Sequence, residues 1–252
     1  MKIESKLKLW IIFNTSFLCY GVDMLGVIFA FFAGIFREIG TSIGKAQVSQ
    51  KKEGLYTMGF LSLFWVIILF VLFAVLVRGE FIFSFASLPT LGIRLILEIL
   101  QAHFSILAII TASRSTYGFI RILTIPILLI VDFMLGYTIA FSDILGIGII
   151  ILSLVILFIN HGIERKGAGI VLFTAINGAA VISLFKYNIT HFNSVEAEGI
   201  IIFTFVSLYF LVMGRRHGEK PFLSLKHPIF FFQSFSRGIG SVFMNFAYLF
   251  GA

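Results

Sequence analysis

Cysteine is almost absent from this chain: Cys19 stands alone among 252 residues. No disulfide can close within the chain, and a Zn or Fe–S centre of the cysteine type is excluded. Charge is scarce as well, at 12% of residues against the roughly 25% of a soluble domain. Acidic residues are fewer than basic ones, 12 against 19, and there are only 4 prolines. What replaces them is apolar. Hydrophobic residues make up 59% of the chain and phenylalanine alone occurs 32 times. A water-soluble fold of this length could not hide so much apolar surface, and disorder is excluded by the same composition. The formal charge of +7 invites a nucleic-acid reading. No basic stripe interleaved with aromatics lies outside the apolar runs, so no nucleic-acid partner is expected. In a bilayer protein, Lys and Arg instead mark the cytoplasmic loops.

A bilayer core about 30 Å thick needs about 20 mostly apolar residues per helix. Eight segments qualify, at 25–45, 55–77, 91–112, 115–137, 141–160, 167–187, 197–214 and 228–251. They show no strict alternation, which favours helices over a transmembrane barrel. Ahead of them, Lys2, Lys6 and Lys8 precede a short apolar run from Leu9 to Tyr20. That run is short for a span and reads as an interfacial or re-entrant segment; no A-x-A cleavage pattern follows it. The loops after the first, third, fifth and seventh spans hold Lys45, Lys51, Lys52, Arg114, Arg165, Lys166, Arg215, Arg216, Lys220 and Lys226, whereas the other side has little beyond Arg78 and Lys186. The basic side is expected in the cytoplasm.

The chain also repeats itself. Phe32, Ile35, Ser42 and Lys45 align with Phe173, Ile176, Ser183 and Lys186 at an offset of 141 residues. Phe60-x-Ser62-Leu63-Phe64 matches Phe205-x-Ser207-Leu208-Tyr209, and Arg94 of the third span matches Arg237 of the eighth. An offset of five spans is odd, so corresponding helices point in opposite directions, the inverted-repeat plan of secondary transporters. The expected fold is an all-α polytopic transmembrane bundle with an inverted repeat. It divides into a basic tail and short apolar segment at 1–24, a first five-helix unit at 25–161 and an incomplete second unit at 162–252.

Ala112-Ser113-x-Ser115, Pro126 in the next helix, Leu135-Gly136 and Gly146-x-Gly148 together resemble the first five-helix unit of the drug/metabolite transporter superfamily, in its EamA-like ten-helix form. Gly167 to Lys186 is similar to the sixth helix of that family. The resemblance spans roughly residues 25–252 and implies a transporter of small metabolites in the plasma membrane. It also implies that the last two helices of the ten are missing. Many members carry Glu after the Leu-Gly of the fourth helix; here Tyr137 stands in that place.

Ionisable groups in hydrocarbon cost a few kcal/mol at the helix centre on insertion scales, so each needs a partner or a function. Arg37 and Glu38 sit mid-span, and Glu38, Thr41, Ser42 and Lys45 share one helical face. That face is either a substrate- or proton-binding wall or a pairing surface for a neighbouring helix. Arg94 and Glu98 are spaced to pair within their helix, and Glu98 is alternatively a proton carrier. His103 reads as a packed, hydrogen-bonded residue. Asn177 lies one residue from the repeat equivalent of Arg37, and Arg237 is the strongest cavity candidate of the eighth span. Arg121 and Asp132 are too far apart on the fourth span to pair and are assigned to different depths. Pro126 is expected to kink that span. The expected substrate-binding set is therefore Arg37, Glu38, Asn177 and Arg237, with Glu38 and Glu98 as proton-coupling candidates.

No nucleophile elbow, H-E-x-x-H or P-loop occurs, so an enzyme is not expected, and neither is a cofactor or a metal. Gly146-x-Gly148 and Gly238-x-Gly240 lack the flanking strand of a nucleotide loop and read as helix-packing positions. Two other classes stay open: a membrane protein that does not transport, or that needs a homo-oligomer or another partner to supply helices, and a membrane-embedded enzyme. A central polar cavity between helices of both halves is what distinguishes transport.

Overall fold

The computed structural model describes residues 2–78, 81–134, 136, 141–161, 164–224 and 227–250, with side chains from Met24 onward in the first helix. The described residues are helical, with no strand among them. The elements are α1 (Lys2–Ser49), α2 (Leu55–Phe73, continued by a π turn, Ala74–Arg78), a 3₁₀ turn (Phe85–Ser87), α3 (Leu88–Thr111), α4 (Arg114–Ile122), α5 (Thr124–Met134) and α6 (Phe141–His161). They continue with α7 (Ala168–His191), α8 (Val195–Arg216), the short α9 (Pro221–Ser224) and α10 (Pro228–Phe250). The basic tail and the first span share one unbroken element, since α1 is a single helix from Lys2. Part of the fourth-span motif of the sequence reading, Leu135 and Tyr137, lies outside the described residues.

The starts and stops have local causes. Ser113 and Ser194 cap α4 and α8, their hydroxyls accepting from the N–H groups of Thr116 and Ala197. Prolines open α9 and α10, where no intrahelical N–H is needed. The N-terminus of α2 is capped from a distance: the Glu219 carboxylate, on the turn after α8, accepts from Thr57 N at 2.6 Å and from Thr57 Oγ1 at 2.7 Å. A negative group at that end also opposes the helix dipole. Gly167, before α7, has φ +78°, and a Cβ there would stand 2.9 Å from Ala112 N; glycine is required on both counts. The fourth span is broken in two at Leu123. Pro126 has no N–H to offer the carbonyl of Ile122, and its ring crowds that carbonyl.

Six stretches are long and apolar enough to cross a membrane: Met24–Ser49, Leu55–Leu76, Phe85–Thr111, Arg114–Met134, Ala168–His191 and Val195–Arg216. The molecule is a polytopic helical bundle. Two of the eight expected spans do not meet that measure among the described residues. In α6 the apolar stretch is the shorter Ile144–Ile156. In α10 the reason is physical: Gln233, Ser234, Ser236 and Asn245 lower its hydropathy, and all four are buried inside the bundle. This helix turns polar groups inward and leaves Ile229, Phe231 and Phe232 exposed.

The centre is built from α2 and α8. Met58, Leu61, Val66 and Phe70 of α2 and Ile202, Val206 and Phe210 of α8 are all at most 1% exposed and belong to one continuous apolar core. Around this pair, α10 packs on α1 and α2, α3 packs on α7 and α8, and α4 and α5 pack on α7. One end of the bundle gathers the C-terminal ends of α1, α3 and α8 with the starts of α2, α4 and α7: Lys45 Nζ donates to Ala112 O at 2.8 Å. The other end is closed by the link before α3 and the turn after α7, where Ser194 N donates to Ile82 O at 2.9 Å.

Candidate functional site

A cavity of about 350 Å³ opens in the middle of the bundle. Its wall is drawn from α1, α2, α3, α4, α5, α7, α8 and α10. Its polar groups come chiefly from α3 (Arg94, Glu98, Gln101, Ser105) and α10 (Arg237, Ser241, Asn245, Tyr248), with Arg37 from α1 and Arg121 from α4. Apolar side chains such as Phe185, Phe203, Phe210 and Met244 fill the rest.

Arg94 does not pair with Glu98 along its own helix. Its Nη1 donates to Glu198 Oε1 of α8 at 2.6 Å, and both side chains are at most 2% exposed. The same carboxylate accepts from Asn188 Nδ2 on Oε1 and from Asn193 Nδ2 on Oε2, each at 2.7 Å. Thr90 Oγ1 donates to Asn188 Oδ1 at 2.6 Å, and the Arg94 guanidinium stacks on the Phe185 ring, 4.4 Å from its centroid. Glu198 sits in the first turn of α8, where the helix dipole favours a negative charge. This network locks α3, α7 and α8 together at one end of the cavity, and it releases Glu98. That carboxyl lines the cavity and has no ion-pair partner within 4 Å among the described residues.

Arg37 and Arg237 occupy reciprocal places in the crossing of α1 and α10. A Cβ on Gly240 would meet Arg37 Cγ at 2.6 Å and Ala33 O at 2.9 Å; one on Gly40 would meet Arg237 Cγ and, at 2.7 Å, Gln233 O. Each glycine thus gives the stem of the opposite arginine a bed, and the helices approach closely enough for Ser236 Oγ to donate to Phe36 O at 2.8 Å. Both arginines reach the cavity. The Nη1 of Arg237 is buried with no hydrogen-bond partner among the described residues. Arg121 completes the set from α4, its Nη1 donating to the Tyr117 hydroxyl beneath it.

Two expected site residues lie elsewhere. Glu38 is on the outer face of α1, 66% exposed, where its carboxylate accepts from Arg114 Nη2 at 2.9 Å. It does not line the cavity, because one helical step from Arg37 turns the side chain away. Asn177 is buried between helices; its Nδ2 donates to Leu97 O and to Gln101 Oε1, both at 2.9 Å. It ties α7 to α3 and does not line the cavity either, acting instead through Gln101, which does. His103 is packed and hydrogen bonded, its Nδ1 lying 2.8 Å from the Tyr209 hydroxyl. No group of three His, Cys, Asp or Glu among the described residues is placed to hold a metal ion.

Outside the spans, Glu53 in the α1–α2 turn is 5% exposed. Its Oε2 accepts from Gln233 Nε2 at 2.9 Å, and its Oε1 has no partner among the described residues. Burial raises its pKa to about 7; the Gln233 hydrogen bond and the charge of Arg237 oppose that rise, and Glu219 adds to it.

Sequence alone does not single out Arg121, Tyr248 or Gly40, although Gly240 reads as a packing position. One signal was available. Arg37-x-Ile39-Gly40 recurs as Arg237-x-Ile239-Gly240, a shared pattern in the two helices that cross. Asp132 lies out of reach of Arg121 along the helix, a test of pairing that says nothing about a cavity. No family model matches the chain, and no curated protein matches it either.

Proposed function

We propose that this protein is a secondary transporter of small metabolites, working by alternating access in the plasma membrane on the inverted-repeat plan of the EamA-like transporters it resembles. The observation that carries the reading is the matched wall of the cavity. Arg94 and Arg237 differ by 143 positions (237 − 94). At that offset Glu98, Gln101, Ala102 and Ser105 of α3 correspond to Ser241, Met244, Asn245 and Tyr248 of α10, and every one of them lines the cavity. Two helices that run in opposite directions present the same face to one central space. The packing supports the same reading. α1 lies on α10 as α7 lies on α3, α2 meets α8, and α10 touches α2 as α3 touches α8. Exchanging the first three spans for the last three leaves that pattern unchanged, the geometry in which two halves rock around a midplane site.

Glu98 is the proton-coupling candidate, since it lines the cavity without an ion-pair partner, and Glu38 is no longer one. The end that carries Lys45, Lys51, Lys52, Arg215 and Arg216 faces the cytoplasm in this proposal. A second reading, a membrane protein that requires a partner, is favoured by α1. It packs chiefly on α10, whereas its counterpart α7 carries α4 and α5 in addition to α3. Uptake of labelled small metabolites into proteoliposomes tests the transporter. At least one should accumulate beyond the level of protein-free vesicles, and Glu98→Gln should abolish its dependence on a proton gradient. No accumulation of any metabolite by well-folded protein supports the second reading.

A further inference from the structure

We propose that the central cavity binds a small dianion, a dicarboxylate or a phosphate monoester. The proposal rests on the transporter reading for its purpose and on charge and geometry for its chemistry. Arg94 is neutralised by Glu198 at 2.6 Å. Three arginines remain, Arg37, Arg121 and Arg237, against one carboxylate, Glu98. No carboxylate lies within 4 Å of any of the three among the described residues. They stand close enough to feel one another's charge, Arg37 against both Arg121 and Arg237. The wall therefore carries an excess of two positive charges in the interior of an apolar bundle. Uncompensated charge there is costly. A ligand with two negative charges offsets that excess.

The kind of cation points the same way. Guanidinium presents a rigid planar fork that matches carboxylate and phosphate oxygens two at a time. The Nη1 of Arg237 is buried and has no hydrogen-bond partner among the described residues. The glycine beds at Gly40 and Gly240 place the stems of Arg237 and Arg37 against opposite helices, and both side chains reach the cavity from there. Ser105, Ser241 and Tyr248 add hydroxyl groups able to meet the hydroxyls or carbonyls of a metabolite. The cavity volume of about 350 Å³ admits a molecule of a few carbons and falls at the small end of ligand pockets.

The test uses the purified full-length protein in detergent, with succinate and inorganic phosphate as probes. Succinamide serves as the neutral isostere of succinate and putrescine as a cation. Binding is read by competition against labelled succinate and by thermal unfolding. Succinate, phosphate or both should bind and raise the melting temperature, while succinamide and putrescine should do neither. Arg37→Gln and Arg121→Gln should each weaken binding by about tenfold or more, as loss of a charge-assisted fork does. Arg121 lies off the α1–α10 crossing, so its variant should melt like the parent protein without ligand. Binding of both anions confined to low ionic strength and insensitive to either variant, equal binding of succinamide, or no anion binding at all overturns the proposal. Anion binding without uptake into proteoliposomes would retain the site and remove the transporter. Uptake of some other metabolite, with neither anion binding or competing, would do the reverse.

Discussion

Arg94 and Glu198 form a buried ion pair that depends on the groups gathered around it. The guanidinium has a carboxylate on one side and the Phe185 ring on its face, and the carboxylate accepts two further amide donors from Asn188 and Asn193. Arg94→Ala leaves Glu198 charged and buried with its amides alone. It should destabilise the protein by about 3–5 kcal/mol, read as a lowered unfolding midpoint in detergent. Adding Glu198→Gln should recover part of that loss, since the orphaned charge goes with it. Glu53 makes a second prediction at this scale. With its pKa raised to about 7 from an ordinary 4.5, the folded protein holds this proton where the unfolded chain has already released it. Stability is therefore highest below pH 4.5 in this group's contribution and falls as pH rises through 7, by on the order of 3 kcal/mol in all. Glu53→Gln keeps the bulk without the charge. Between pH 5 and 8 the unfolding midpoint of the parent protein should fall more steeply than that of the variant; parallel curves would show that Glu53 does not hold its proton.

Among the helices, the crossing of α1 and α10 depends on two residues without side chains. Gly240→Ala puts a methyl group 2.9 Å from a main-chain oxygen, Ala33 O, and 2.6 Å from Arg37 Cγ. Overpacking of this kind costs about 1–3 kcal/mol. It should lower the melting temperature and, by moving the stem of Arg37, weaken anion binding. Gly146→Ala, at a position with nothing among the described residues within 4 Å of the added atom, should do neither. The contrast shows what sequence conveys at this scale. Both glycine pairs read as packing positions, and among the described residues only Gly238-x-Gly240 packs, against Trp65 and Arg37. Spacing reveals that a helix has a small face; it does not reveal what lies opposite. Six of the eight expected spans are legible because apolar length is a local property. Pro126 marked the break at Leu123 for the same reason. The partner of Arg94 was not legible, since Glu198 is 104 positions away while Glu98 offered the expected spacing on the same helix. Glu38 misled because adjacency to Arg37 suggests a shared site, whereas consecutive helix positions diverge by about 100°.

At the scale of the molecule, the account is a bundle whose polar groups concentrate on a central space while much of its phenylalanine and isoleucine faces outward. Phe31, Ile96, Ile130, Phe133, Ile149 and Phe232 are all exposed, as a lipid-facing surface requires, and α10 reverses the soluble pattern by burying its polar residues. A cavity walled by matching faces of α3 and α10 is useful to a transporter only if each side of the membrane reaches it in turn. The single native cysteine makes that testable. In a Cys19→Ser background, cysteines placed singly at Ser105 of α3 and Ser241 of α10 can be probed in oriented vesicles with a membrane-impermeant thiol reagent. Alternating access predicts that each is modified from either face, and that succinate protects both. Modification from one face alone, at both positions and with or without ligand, would contradict the account.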